Sequence, residues 1–256
     1  MIISKFNNFI FFKNMKVAGS SFEIYLSKFC STEDIITPLN YKEEELRKKL
    51  GYKNKQNYKK NFIEQYINIT FLKYLVKKIP LTKYIINYKT LPRLEERKFF
   101  HHMPATKLYS IIGDQIYRYN KIAILRNPIS MFVSMYNHKL KIQNFDYIEF
   151  DEFIENYAEE FFNHQLKIIS LNNKIIIDYF LIYERIEKSF KYLNKNIKLN
   201  LIYNDFKDIN EKKFSNPKKL SVNYLKDYQK KKIMIYANEY YSVYLKAFKI
   251  IENEKN

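Results

Sequence analysis

In the stretch FNNFIFFK, residues 6–13, the apolar positions run together with no helical gap, and a polar loop follows them. A short β-prone apolar run that stops at a polar turn reads as a buried strand. Beyond the loop, Phe22, Leu26 and Phe29 return at steps of three and four, the spacing of one helix face. The first unit is therefore strand, loop, helix.

From Tyr41 to Ile79 the pattern turns helical. YKEEELRKKL is amphipathic and charged, and Tyr58, Phe62, Tyr66, Ile69, Leu72 and Leu75 form a stripe. Residues 40–97 are thus predicted to be a helical insertion, or cap, over a sheet. Pro80, NYKT (87–90) and Pro92 mark loops within it. KFFHH (98–102) predicts a second short strand, and KIAILR (121–126) predicts a third. That third strand ends where Asn127 and Pro128 supply an N-cap and a first-turn proline for the helix through ISMFVSMYNHKL. IIIDYFLIY (175–183) reads as the best strand of the carboxyl half, followed at once by the amphipathic ERIEKSFKYLN. Tyr236, Tyr240, Val243, Tyr244, Ala247 and Ile250 place a last long helix within a helical carboxyl-terminal region, 200–256. Strands alternating with helices predict an α/β domain with a mostly parallel sheet flanked by helices. No repeat or Pro-, Gly- or Ser-rich linker divides residues 1–256, so one domain is expected.

Composition changes this picture in only a few places. The chain has 256 residues, 46% of them hydrophobic, which is enough to bury a sizeable core. Its formal charge of +18 attracts polyanions without special geometry. Lys, Asn, Ile, Tyr and Phe are all abundant, however, while Gly, Pro and Ala are scarce, as AT-rich codon usage alone would produce. The charge therefore names no partner. Cys30 is the one cysteine, so no intramolecular disulfide forms, and no Cys/His group has zinc-ligand spacing. It reads as a small residue packed at the end of the first helix, and no metal is expected. The Phe9–Phe12 burst is too brief for a signal-peptide core or a membrane span. The expectation is a soluble protein of a reducing, cytoplasmic compartment.

The loop NMKVAGSS offers the first chemistry. A strand feeding a tight loop that opens a helix favours anions, because the helix's first N–H groups are unpaired and its dipole attracts negative charge. A Walker A loop needs its lysine after the second glycine, whereas Lys16 precedes Gly19, and Ser20 and Ser21 follow it. The order excludes that motif, and a dinucleotide fold lacks its G-x-G-x-x-G. Taken alone, VAGSS reads equally as an ordinary N-cap beside a surface lysine. A second element tips the balance. Arg126 stands at the carboxyl end of the third strand, where ligands of open α/β sheets collect, and Ser134 lies two turns into the next helix. An arginine fork suits a phosphate dianion and a serine adds a hydroxyl. Two anion sites on one sheet edge imply a ligand phosphorylated in two places.

KNMKVAGSSFE resembles the 5′-phosphosulfate loop of sulfotransferases, P-K-T-A-G-T-S, and LRNPISMFVSMY resembles their 3′-phosphate motif, R-[ND]-P-x-x-x-x-x-S-x-Y. The carbohydrate sulfotransferase branch and its bacterial relatives are the nearest likeness. STEDIITPL, HHMPATKL and DYFLIYERIEKSF extend it over most of residues 8–190. Met15 stands where the family has proline, and Val17 where it has threonine, which removes one hydroxyl. The resemblance implies a P-loop-like fold and the donor 3′-phosphoadenosine 5′-phosphosulfate, with no metal. It further implies that Lys16, Val17, Ala18, Gly19, Ser20 and Ser21 hold the 5′ side, and that Arg126 and Ser134 hold the 3′-phosphate. Lys16 would also stabilise the leaving phosphate, and His102 would take the proton of an acceptor hydroxyl, expected on a glycan. Strand alternation lets only one of His101 and His102 face the cleft. His138 either lines the nucleotide pocket or packs, and His164 reads as packing. Glu184 and Arg185 either start a helix or line the cleft. The competing class is a basic nucleotide- or nucleic-acid-binding α/β protein without transferase activity. No RNP, KH or helix-turn-helix signature supports nucleic acid, and a nucleotide kinase would need a metal-binding loop.

Overall fold

Ile2–Ser4 (β1) and Phe9–Phe12 (β2) form an antiparallel hairpin at the centre of a computed structural model that describes residues 1–60, 97–141, 148–210 and 220–254. Ile35–Ile36 (β3) pairs antiparallel with β1 on the outer side. Asn120–Leu125 (β4) and Tyr179–Ile182 (β7) add in parallel beyond β2, giving the order β3-β1-β2-β4-β7. The architecture is α/β as expected, but the sheet is mixed rather than mostly parallel. Three parallel strands carry a two-stranded antiparallel flank whose members are too short for the periodicity to register.

Every residue of β2 is fully buried. A strand covered on both faces needs apolar side chains at all positions, so the run shows no alternation. On one face Phe11 meets Phe22 of Gly19–Leu26 (α1), ring centroids 5.0 Å apart, and Phe22 meets Phe190 and Phe206. Those two belong to Ile186–Ile197 (α6) and Tyr203–Asn210 (α7). A second aromatic cluster joins Phe132 of Pro128–Lys141 (α4) to Phe153, Phe161 and Phe162 of Phe150–Ile169 (α5). Cys30 is buried after the first helix as expected, and burial pushes its thiol pKa up.

Several elements depart from the sequence reading. Residues 98–102 make no strand. The N–H groups of Lys98 and Phe99 both donate to the Tyr58 carbonyl, and His102 has φ of 58°, where a strand cannot continue. They lead instead into Ala105–Ile112 (α3). The run 175–183 is divided. Lys174–Ile175 (β6) pairs with Ser170–Leu171 (β5) in a separate hairpin, and only β7 joins the main sheet. Asp178 sets the division by accepting the Lys121 N–H at 2.8 Å and donating its own N–H to the Lys121 carbonyl. The helix after Asn40 is present as Tyr41–Lys49 (α2), held by a capping box of Asn40 and Glu43. It stops there, and residues 50–60 are not helical, so Tyr58 is on no helix. The remainder of the stripe, Phe62 to Leu75, and the loops at Pro80, 87–90 and Pro92 lie outside the described residues.

Beyond α7, the carboxyl-terminal region holds Asp227–Tyr236 (α8) and Asn238–Asn253 (α9), divided at Ala237, so Tyr236 is not on the last helix. Tyr240, Tyr244 and Ala247 face the core, but Ile251 takes the place expected for Ile250, which is 53% exposed. Among the described residues no helix is long and apolar enough to cross a membrane, and no group of His, Cys, Asp and Glu could hold a metal ion.

Candidate functional site

Because β2, β4 and β7 are parallel, their carboxyl ends share one edge, and Lys13, Arg126 and Tyr183 are the first residues beyond it. The loop after β2 is bent. Lys16 and Ala18 both have φ of 59°, a left-handed conformation that costs a non-glycine residue on the order of 1 kcal/mol. Gly19 follows for a packing reason, since a Cβ there would sit 2.9 Å from Lys13 Cγ. Helix α1 then opens with no side-chain cap and no acidic residue in its first turn. Among the described residues no carboxylate accepts from its leading N–H groups, the condition that favours an external anion.

Three elements grip the loop through its backbone. Gln165 on α5 accepts the Met15 N–H at 2.8 Å. The His102 ring bonds the Lys13 carbonyl at 2.7 Å, and Arg126 Nη1 donates to the Lys16 carbonyl at 3.0 Å. Beneath them Lys13, only 4% exposed, pairs with fully buried Glu23 of α1 at 2.9 Å. Glu23 also meets the Met1 amine at 3.0 Å, accepts from the Thr37 hydroxyl, and lies 3.8 Å from buried Arg47. Burial alone would raise its pKa, but these cations outweigh burial and hold the carboxyl at about 2. Asn14, 1% exposed, has both side-chain polar atoms without a hydrogen-bond partner among the described residues. Two left-handed residues and an unsatisfied buried amide within five positions mark a loop shaped for something other than stability.

Arg126 is held as firmly. Its Nε donates to Ser130 Oγ at 3.1 Å, and its guanidinium lies 4.4 Å from the Tyr183 ring centroid. The buried Tyr240 hydroxyl accepts the Arg126 N–H at 3.1 Å and donates to the Arg126 carbonyl at 3.3 Å. Asn127 caps α4 as predicted, its Oδ1 accepting from the Ile129 and Ser130 N–H groups. Glu184 accepts the Asn127 N–H at 2.9 Å and the Tyr244 hydroxyl at 3.4 Å, which fastens the start of α4 to α9. It lies in the 3-10 turn Tyr183–Arg185 that leads directly into α6, as a helix start would. Arg185 instead pairs with Glu252 on α9.

The expected site residues therefore gather at this edge with differences. Lys16 and Arg126 meet directly. Val17 is buried in the core, so only its backbone can serve a ligand, while Ala18, Ser20 and Ser21 are half-buried around the start of α1. Ser134 is half-buried on α4, but Ser130, one turn earlier, is the serine that binds Arg126. His138 is exposed on α4, and desolvation followed by the charge of Lys16 lowers its pKa. His164 is half-buried on α5.

His102 reaches the loop through its turn and not, as expected, through strand alternation. His101 stays exposed, its ring edge-on to that of His102 at 5.0 Å. A carbonyl can only accept, so Nδ1 of His102 carries the proton and Nε2 keeps its lone pair. Burial first, then the charge of Lys13, lowers the His102 pKa to about 3, so the ring is neutral at pH 7. The sign follows directly: the unfolded chain, titrating near 6.5, binds a proton that the fold refuses. His102 therefore withdraws stability as pH falls from about 6.5 toward 3, at most about 1.4 kcal/mol per pH unit. Melting curves of His102→Asn, which tolerates the left-handed backbone, should show a shallower loss across that window than wild type. Parallel curves would show that His102 does not titrate this way.

Gln165, Tyr240, Ser130 and Asn14 were not singled out from sequence. Ser130 had a signal, lying four residues after Arg126 inside the LRNPISMFVSMY run, whereas Gln165 and Tyr240 act across more than a hundred residues. No protein-family model matches the chain, and neither a curated protein nor a solved structure matches it.

Proposed function

We propose that this chain is a P-loop-like sulfotransferase that moves a sulfuryl group from 3′-phosphoadenosine 5′-phosphosulfate to an acceptor hydroxyl on a glycan. The observation that carries the reading is the Arg126–Lys16 contact. It joins the two cationic motif elements at one sheet edge beside the uncapped start of α1. A donor phosphorylated at both ends of its ribose needs two such anion sites at a fixed separation.

Each residue then has a role. Backbone N–H groups from Val17 to Ser21 and the Lys16 ammonium hold the 5′-phosphosulfate, and Arg126 with Ser134 holds the 3′-phosphate. As the sulfur–oxygen bond to the phosphate breaks, charge grows on the departing phosphate oxygen, where Lys16 counters it. The acceptor oxygen bonds to sulfur and its proton passes to Nε2 of His102. A pKa of about 3 makes that nitrogen a weak base on its own, and the negative charge of a bound donor would act to raise it. Carboxylates and metal ions have no required part in this scheme.

The test is a calorimetric titration of the full chain with 3′,5′-adenosine bisphosphate and with AMP, alongside transfer of radiolabelled sulfate from the donor to a panel of glycans. The bisphosphate should bind at least tenfold more tightly than AMP. Equal affinities would remove the second anion site and the reading with it.

A further inference from the structure

Gln165 breaks the pattern of the helix that carries it. On α5, Phe161, Phe162, Ile168 and Ile169 are buried as an apolar face, and the fully buried Gln165 puts a primary amide among them. A buried amide is costly unless its hydrogen bonds are made, and a methionine of similar size would suit the core better. Its own helix offers it little. The Nε2 group donates to the Phe161 carbonyl one turn back at a long 3.4 Å, whereas Oε1 accepts the Met15 N–H at 2.8 Å across 150 positions of chain. The short bond is the one to the loop.

Met15 is where that bond has leverage. It directly precedes Lys16, the first of the two left-handed residues, and Ala18 with the uncapped start of α1 follows. Strained conformations of this kind persist only where the surroundings over-determine them. A proline at position 15 would fix its own φ and carry no N–H, but methionine leaves that torsion free, so the entry to the bend has to be fixed from outside. His102 and Arg126 act on the carbonyls of Lys13 and Lys16, on either side of Met15. Gln165 supplies the hold between them. Its helix is a firm base, since Phe161 and Phe162 pack against Phe132 of α4 at centroid distances of 5.7 and 5.9 Å.

We propose that Gln165 is a positioning residue for the anion loop: by holding the Met15 N–H it sets the place of the Lys16 ammonium and of the N–H groups that open α1. The functional part of the assignment rests on the sulfotransferase reading, in which those groups hold the 5′-phosphosulfate. Both 3′,5′-adenosine bisphosphate and AMP carry a 5′-phosphate, so a displaced loop weakens both by the same factor. Arg126, by contrast, separates the two ligands.

The experiment compares wild type with Gln165→Met by residue-resolved amide hydrogen exchange and by calorimetric titration with the two nucleotides. In wild type the Met15 amide should exchange slowly, and exchange at the rate of an unfolded chain overturns the proposal without any variant. In Gln165→Met, exchange at Met15 and across residues 17–21 should quicken about tenfold in the absence of ligand. Both nucleotides should bind about fivefold more weakly, the equivalent of one ordinary hydrogen bond, with the ratio of their affinities unchanged. A merely structural role would lower the urea midpoint but leave loop exchange and both affinities as in wild type, and that result overturns the proposal. A loss confined to the bisphosphate overturns it too, because it would place Gln165 behind Arg126. Should wild type bind neither nucleotide, the donor reading falls, and the exchange rates at Met15 and the loop still decide whether Gln165 sets it.

Discussion

Arg126→Ala is expected to cost 3′,5′-adenosine bisphosphate about 2–4 kcal/mol of binding free energy, roughly 30- to 1,000-fold, because it removes a charged partner from a partly desolvated phosphate. The same guanidinium holds the loop through the Lys16 carbonyl, so AMP should also lose affinity. Its loss should be limited to about 1 kcal/mol, the worth of one ordinary hydrogen bond. Calorimetry on both ligands measures the difference. A lysine at this position should restore little, since one ammonium cannot reach the Lys16 carbonyl, Ser130 and a phosphate together in the fork geometry. Equal losses for both nucleotides would mean that Arg126 shapes the loop and does not read the 3′-phosphate.

Glu23→Gln should be the most damaging single change to the fold. Lys13 and Arg47 are buried around this carboxylate, and both would stay buried without it. Stripping one partner from such a group costs about 3–5 kcal/mol, against a whole-domain stability of about 5–15 kcal/mol. Urea denaturation at pH 7 measures the loss. The acid dependence supplies a second check with a fixed sign. Glu23 has its pKa held at about 2, below the 4.5 of the free side chain, so its stabilisation is complete above 4.5 and disappears as pH falls toward 2. The gap between wild type and Glu23→Gln should therefore close over that interval, below most of the window in which His102 acts. A gap that stayed constant with pH would show that the carboxylate charge is not what the cluster uses.

The parts of this structure legible in the sequence are those fixed by neighbours along the chain. β2 and β4 announced themselves because complete burial demands unbroken apolar runs, and the α4 start because Asn127 and Pro128 act within one turn. The loop and Arg126 were legible in position, since both follow parallel strands whose ends the sequence marks, and the two lie in contact. What escaped depends on distant partners. The turn at residues 98–102 follows from a carbonyl at Tyr58 and a backbone φ that no pattern of apolar residues encodes. Tyr240 read as one more stripe residue, yet its hydroxyl fixes both backbone groups of a residue 114 positions away. The 175–183 run was broken by a single aspartate whose partner, Lys121, lies on the neighbouring strand.

The sheet's two margins carry a consequence for how copies of this protein behave in concentrated solution. One margin is β3, two residues long, and the other is β7, four residues long and packed by α6 and α9. Among the described residues, neither presents a long row of open backbone groups on which a second chain could lay a strand. A protein so rich in aromatic and β-branched side chains would otherwise template its own stacking. Short margins, together with a formal charge of +18 that makes copies repel, work against that route to fibrous assembly.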